Sequence, residues 1–435
     1  MHRERQDILS TFINQGWRLI SGPMILLLIP LYLTSTEQGC WYTFTSLAAL
    51  SVFADLGFGA IVLQFAAHEF ANLRFRSDGF IGGPIRSQQR LASFFKFTVK
   101  WGGTATLIAF PVILIGGYFF LHRQLHTVLL DWQWSWILYS CVSGVVFFNN
   151  ILLMFFEGCN SVAKLQGIRF KMAIASSSTM LAGLIAGAGI YTLAASGIVN
   201  ACSGCFFLYK NFRRASFQLW RTAHFAQYNW WPEFSSLMWR YALSWCSGYL
   251  GLSAYTPIAF YFWGPVAAGK VGLSMAMWTA GFGIANCWMT AVVPRLNMLI
   301  ENKNWQELDR LFRKSFYRTI FTMVAGGSGF LLLYTVTNGM IPLWGRILSI
   351  SGMTILFFCW LGQLIINGWA TYLRAYKKEP LMVYSVISSL YMFIITLICV
   401  HFYSVDYMFL GFLSSMIWGI PFVWRIYYHQ KKAHI

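Results

Sequence analysis

Among the charged side chains inside long apolar runs are Arg18, Asp55, Arg240 and Lys270. An ionised group in hydrocarbon costs about 2.5–3.5 kcal/mol on insertion scales, so such residues mark places where function concentrates. Arg18 lies about five residues into the first run, roughly 8 Å from its edge at helical rise. A permanent guanidinium there can hold a phosphate in bidentate fashion inside a cavity. Snorkelling to the headgroups is the alternative. Asp55 stands mid-run in Ala54-Asp-Leu-Gly-Phe-Gly-Ala60, where Gly57 and Gly59 loosen the helix. It can pair with Arg18, titrate during a transport cycle, or accept hydrogen bonds from freed backbone groups. Arg240 and Lys270 lie near opposite ends of the seventh and eighth runs, and either can snorkel. If all four face a cavity, the lining carries net positive charge and favours an anionic cargo. Uncharged polar groups in the runs are Gln64, Asn149, Asn150, Asn200, Asn286, Gln363 and Asn367. They can bond sugar hydroxyls or one another across helices; Asn286 joins Arg18, Arg240 and Lys270 as an expected substrate contact.

Catalytic constellations are missing. There is no G-x-x-x-x-G-K-[ST] loop, no H-E-x-x-H and no Ser-His-Asp set, and the eight histidines are scattered. A lipid-sugar glycosyltransferase calls for an acidic pair at the outer surface, where the first outer loop has only Glu37. The nine cysteines lie almost all in or beside apolar runs and form no secreted disulfide framework. Cys202-x-x-Cys205 has redox spacing but no second pair, so both read as buried small hydrophobes. The expectation is a protein that is not an enzyme and needs no metal or cofactor.

The elements that must position these residues follow from composition. Of 435 residues, 57% are hydrophobic, 18% aromatic and 11% charged, and the mean hydropathy is +0.55. Soluble domains carry about 25% charged residues. A membrane helix needs about 20 apolar residues, and twelve spans fit, at 13–33, 42–66, 99–121, 134–156, 168–189, 192–209, 238–263, 269–293, 319–337, 350–371, 381–402 and 408–427. The net charge of +18 would point to nucleic acid in a soluble chain. Here 28 of the 32 basic residues fall on the side of both termini, three (Arg123, Lys270, Arg346) on the other, and Arg18 within a span. This places both termini in the cytoplasm, with the cations against anionic phospholipid and no role for nucleic acid. The run after MHRERQ continues into a full span without a small-residue cleavage site, so it reads as a span and not a removable leader.

The loops on the outer side are short, and those at His68–Thr98, Lys210–Leu237 and Pro294–Arg318 are longer. In the last, Trp305, Leu308, Leu311 and Phe312 share a face and predict an amphipathic helix on the membrane surface. A weak internal echo pairs Trp17-Arg18 with Trp239-Arg240, Ser21 with Ser244, Pro30 with Pro257 and Gly39 with Gly269. Duplication predicts an all-α polytopic protein of about twelve transmembrane helices in two pseudo-symmetric six-helix lobes around a central cleft. The expected division is an N-terminal lobe at 1–210, a basic connector at 211–237 and a C-terminal lobe with its tail at 238–435.

Three stretches carry a family resemblance: Thr36 to Phe44 with Phe53 to Glu69; Phe156-Glu-Gly-Cys-Asn-Ser-Val162; and Tyr241 to Tyr249, Tyr261 to Ser274 and Pro294 to Phe312. Together they resemble the Wzx-type polysaccharide (O-antigen) flippases of the multidrug/oligosaccharidyl-lipid/polysaccharide (MOP) exporter superfamily. The resemblance implies a cleft lined by the first, second, seventh and eighth spans. It also implies a cargo of undecaprenyl-pyrophosphate-linked oligosaccharide, turned from the cytoplasmic to the periplasmic leaflet of a bacterial inner membrane by alternating access. It assigns the pyrophosphate to cleft cations, here Arg18 first, then Arg240 and Lys270. It implies the polymerase and chain-length regulator of the same pathway as partners. Coupling to a proton or sodium gradient, where used, falls to Asp55. A drug/cation antiporter of the same superfamily would carry several buried carboxylates, and only Asp55 qualifies. A glycan polymerase or acyltransferase would carry a long outer loop or a catalytic acid/His set.

Overall fold

A computed structural model describes residues 16–17, 20–126, 129–224, 228–376 and 381–432, apart from the side chains of Leu237 and Arg240. Unpaired backbone groups are too costly in hydrocarbon for open strands to cross it, so the apolar runs become helices. In order these are α1 (Ile20–Tyr32), α2 (Ser35–Ala48), the short α3 (Val52–Asp55), α4 (Phe58–Phe70), α5 (Ile85–Leu125), α6 (Trp132–Gly158), α7 (Val162–Ile185) and α8 (Tyr191–Thr222). Then come α9 (Trp231–Gly248), α10 (Tyr255–Thr290), α11 (Val293–Glu301), α12 (Trp305–Val336), α13 (Ile350–Ala375), α14 (Met382–Phe402) and α15 (Leu410–Lys432).

Among the described residues eight helical stretches are long and apolar enough to cross a membrane, and nine with the bent pair Ser35–Asp55 and Phe58–Phe70. The expected twelve differ from nine for local reasons. Only the Ile20–Tyr32 part of the first span is described as a continuous helix. Helix α7 has Lys164, Arg169 and Lys171 in its first half. The stretch Tyr241–Glu301 runs two expected spans together. These two part at Gly264, whose φ of 81° and ψ of −177° break α10 before Pro265. The chain is an all-α polytopic membrane protein.

The helices divide into two units, one of residues 1–33 and 44–246, the other of residues 34–43 and 247–435. The first unit packs α4, α5, α6 and α8 together, with α7 on α8. Its core at one end is aromatic: Phe58, Phe94, Phe155, Phe156, Phe212, Trp230 and Phe234 are buried in one cluster. Phe156 stacks on Phe212 at 4.2 Å between centroids, and Phe94 meets Trp230 edge-on at 4.9 Å. The expected loop at 68–98 is largely structured. A two-residue antiparallel hairpin pairs β1 (Arg74–Phe75) with β2 (Ile81–Gly82), and α5 starts well before its apolar part. Helix α8 likewise runs past its apolar part to Thr222. There Gln218 clamps the hairpin, accepting from the Ile81 N–H at 2.7 Å and donating to the Ile81 carbonyl at 2.9 Å.

In the second unit α13 packs against α12 and α15, and α10 against α12 and α13. The surface helix expected at Pro294–Arg318 is instead α11 followed by the start of α12, capped by Asn304, which accepts from the Glu307 N–H. Its apolar face turns inward: Leu308 and Phe312 are buried against Tyr372, with Trp369, Tyr376 and Tyr427 around them. Asp309 on the same turn accepts from Lys431 at 2.7 Å and from the Tyr372 hydroxyl at 3.3 Å. Neighbouring helix ends, not headgroups, cover this face.

Residues 34–43 reach the second unit through close backbone packing. Thr34 and Glu37 form a capping box: the carboxylate accepts from the Thr34 N–H and hydroxyl at 2.8 Å, and the hydroxyl accepts from the Glu37 N–H at 3.2 Å. Gly39 lies against the Pro265 carbonyl, where no side chain fits, and Gly269 packs on Gly39, whose nitrogen would lie 3.0 Å from a Cβ on Gly269. The two glycines paired by the internal echo thus touch each other. We expect Gly39→Ala to destabilise the purified protein by at least ~1–3 kcal/mol, because a backbone carbonyl cannot give way. Gly281→Ala in α10, with open space around it, serves as the control; thermal unfolding in detergent compares the two.

Candidate functional site

The second expected span breaks where sequence places its charge. Helix α3 ends at Asp55, and the chain passes through Leu56 (φ 47°) and Gly57 (φ 75°) before α4 starts at Phe58. Left-handed backbone is free for Gly57 but costs a leucine about 1–2 kcal/mol. The bend between the two halves is 46°. Asp55 offsets part of the break, its Oδ1 accepting from the Gly59 N–H at 3.2 Å. A carboxylate thus sits at the N-terminal end of α4, where helix polarity favours negative charge. The local reason lies in Asp-Leu-Gly-x-Gly, an acceptor followed two residues later by a glycine that adopts the left-handed turn freely.

Helix α9 lies against this break. The Tyr241 Cβ occupies the space a side chain at Gly57 would need, and the Tyr241 hydroxyl accepts from Gln64 Nε2 at 3.1 Å. Tyr241 follows Arg240, so the α9 backbone carrying Arg240 is brought beside the break that holds Asp55. The Arg240 side chain is not described, and Arg18 lies outside the described residues. Its neighbour Trp17 donates from Nε1 to Ser177 Oγ of α7 at 3.1 Å.

Lys270 and Asn286 both lie on α10, half-buried and sixteen residues apart, about 24 Å along a helix. They are not parts of one cluster. Asn286 accepts from Asn367 Nδ2 at 2.9 Å, joining α10 to α13, and its own amide reaches Thr290 at 3.4 Å. Lys270 stands at the other end, beside a junction that spacing did not reveal. Gln38 Nε2 donates to the Gly269 carbonyl at 2.8 Å and to the Arg346 carbonyl at 3.0 Å. One amide nitrogen thus gathers the backbone beside two of the three cations counted on that side, while Arg346 Nη1 donates to Ser35 Oγ at 2.8 Å. A glutamine beside Gly39 is the trace of this in the sequence.

Asn149 has structural partners. Asn149 donates to the Ala201 carbonyl at 3.0 Å and contacts Cys205 at 3.5 Å, joining α6 to α8. Among the described residues no three His, Cys, Asp or Glu side chains converge as metal ligands.

No protein-family model matches the chain, and no curated protein does. Solved structures do. The chain is similar to an inward-facing multidrug resistance MATE family transporter of the MOP superfamily, with a TM-score of 0.61 and 13% identity, over 94% of this chain and 99% of that one. It is similar to the lipid II flippase MurJ in an inward closed conformation, with a TM-score of 0.65 and 13% identity, over 96% of this chain and 86% of that one. It is also similar to the MATE multidrug transporter DinF-BH, solved as a complex, with a TM-score of 0.60 and 12% identity, over 98% of this chain and 95% of that one. At such identity the likeness speaks for architecture: this chain has the fold of MOP superfamily transporters.

Proposed function

We propose that the protein is a flippase for undecaprenyl-pyrophosphate-linked oligosaccharide, an O-antigen or similar repeat unit. It carries this cargo from the cytoplasmic to the periplasmic leaflet of a bacterial inner membrane by alternating access. The observation that carries the reading is the sign of the charge within the first, second, seventh and eighth expected spans: Arg18, Arg240 and Lys270 against Asp55 alone. Asp55 already uses one oxygen to cap α4. A cationic drug would need carboxylates to spare, whereas a diphosphate needs cations. The barrier for such a cargo is its head, because phosphates and sugars cannot cross about 30 Å of hydrocarbon unaided. Arg18 is assigned the main pyrophosphate contact, then Arg240 and Lys270; Asn286, about 24 Å along α10 from Lys270, is assigned to the sugar part of the cargo. The likeness to the lipid II flippase supports a lipid-linked cargo.

The likeness to MATE multidrug transporters at comparable TM-scores favours a second reading, a drug/cation antiporter. Deleting the gene and fractionating the lipid-linked glycan between leaflets separates the two. Accumulation on the cytoplasmic side supports the flippase; normal translocation together with increased drug sensitivity supports the antiporter.

Two variants test the assigned residues. Arg18→Ala removes charge-assisted hydrogen bonds of about 1.5–3 kcal/mol, so glycan export should fall roughly tenfold or more while the amount of protein in the membrane holds. Normal export by this variant would remove Arg18 from the site. Asp55→Asn keeps an acceptor oxygen for the Gly59 N–H and deletes the charge. If Asp55 couples transport to an ion, the variant folds normally and its transport no longer responds to an imposed proton or sodium gradient. An unchanged response leaves Asp55 as a helix cap alone.

A further inference from the structure

We propose that a cavity of about 310 Å³ at the basic end of the first unit binds a phosphoryl group. It lies between the β1–β2 hairpin, the start of α7 and the far part of α8. Its polar lining is Arg76, Ser77, Asn160, Ser161, Lys164 and Asn211. The proposal is independent of the flippase reading.

Charge is the main argument. Lys164 and Arg76 come from segments 88 residues apart and line one small hollow. Among the described residues neither has a carboxylate partner. The acids nearby are engaged elsewhere. Glu157 is held by Arg169 at 2.7 Å and by Gln166 at 3.1 Å. Asp78 Oδ1 accepts from the Phe80 N–H at 3.0 Å. Arg214, a further cation from α8, donates to the Asp78 carbonyl at 2.6 Å. The Lys164 ammonium lies over the Phe212 ring, 4.9 Å from its centroid, and burial pulls its pKa below the usual lysine value. An anion seated in the hollow would raise that pKa again.

Hydrogen bonding gives the hollow its preference among anions. The first helical bond of α7 is from the Leu165 N–H to the Ser161 carbonyl. The N–H groups of Val162, Ala163 and Lys164 precede it and have no acceptor among the described residues, and the Ser161 side chain does not cap them. All three residues line the cavity. Backbone donors at a helix start, flanked by two cations and the side-chain amide of Asn160, suit the several oxygens of a phosphoryl group better than a lone halide. Basic pockets between membrane helices hold lipid phosphates in this way. The source is a phospholipid headgroup or a free phosphate ester.

Thermal unfolding of the full chain in nanodiscs tests this. In phosphatidylcholine discs, added pyrophosphate should stabilise the wild type, and Lys164→Gln and Arg76→Gln should each remove more than half of the shift. That result means a site for free phosphates. If only phosphatidylglycerol discs stabilise the protein and the same variants lose the effect, the ligand is a lipid headgroup. Lys164→Arg keeps the charge and should retain most of either shift. Arg76 lies on an exposed turn, so its variant reads binding even if Lys164→Gln folds poorly. Equal shifts in wild type and both glutamine variants, or no shift with either anion, overturn the proposal.

Discussion

Hydrocarbon does not hydrogen-bond, and every departure from helix in this protein has to answer to that. A peptide group left open in the bilayer costs several kcal/mol. Where the second span breaks at Leu56–Gly57, the Asp55 carboxylate closes the Gly59 N–H. At the start of α13, Asp406 accepts from the Ser349 N–H at 3.0 Å, and the Ser349 hydroxyl faces the Gly352 N–H. At the junction of α2 with α10, Gln38 serves two carbonyls with a single amide nitrogen. At each of these places a polar side chain in or beside an apolar segment repairs the backbone, and any transport role of Asp55 must share it with that duty.

This sharing bears on how the charged residues are read. Asp55 is at once the one carboxylate deep in an expected span and the cap of α4, so its charge state and the local helix geometry are linked. A left-handed leucine next to it adds stored strain of the kind that collects at functional positions. The α9 backbone at Arg240–Tyr241 seats on the same break, so a cation-bearing helix and the acid-bearing turn meet within one unit. Lys270 and Asn286, by contrast, are held far apart on one helix, and Asn286 is engaged with Asn367.

Much of the architecture was legible in the sequence because it is written in hydropathy and charge, which act locally. The long apolar helices and the break at Gly57 follow from runs and glycines that can be counted. What escaped depends on residues distant in sequence. The amphipathic start of α12 carried the periodicity of a surface helix, and nothing local says that Tyr372 and Tyr427 cover it. The extension of α5 back to Ile85 is too polar to register as a span. Its fit depends on Gln218 clamping the hairpin in front of it. The tie from Gln38 to the backbone at Gly269 and Arg346 joins positions 231 and 308 residues apart, and counting cations on one side could not reveal it.

The membership of residues 34–43 in the second unit has a temporal side. Gln38 emerges from the ribosome early, but the carbonyls it serves follow 231 and 308 residues later. At synthesis rates of about 5–20 residues per second, that interval is roughly ten seconds to a minute. Throughout it, a short glycine-bearing helical stretch waits in the bilayer without its docking partner. A nascent chain built this way rewards assistance from an insertase or chaperone that shelters early segments, and a cut at the midpoint would part residues 34–43 from the rest of their unit.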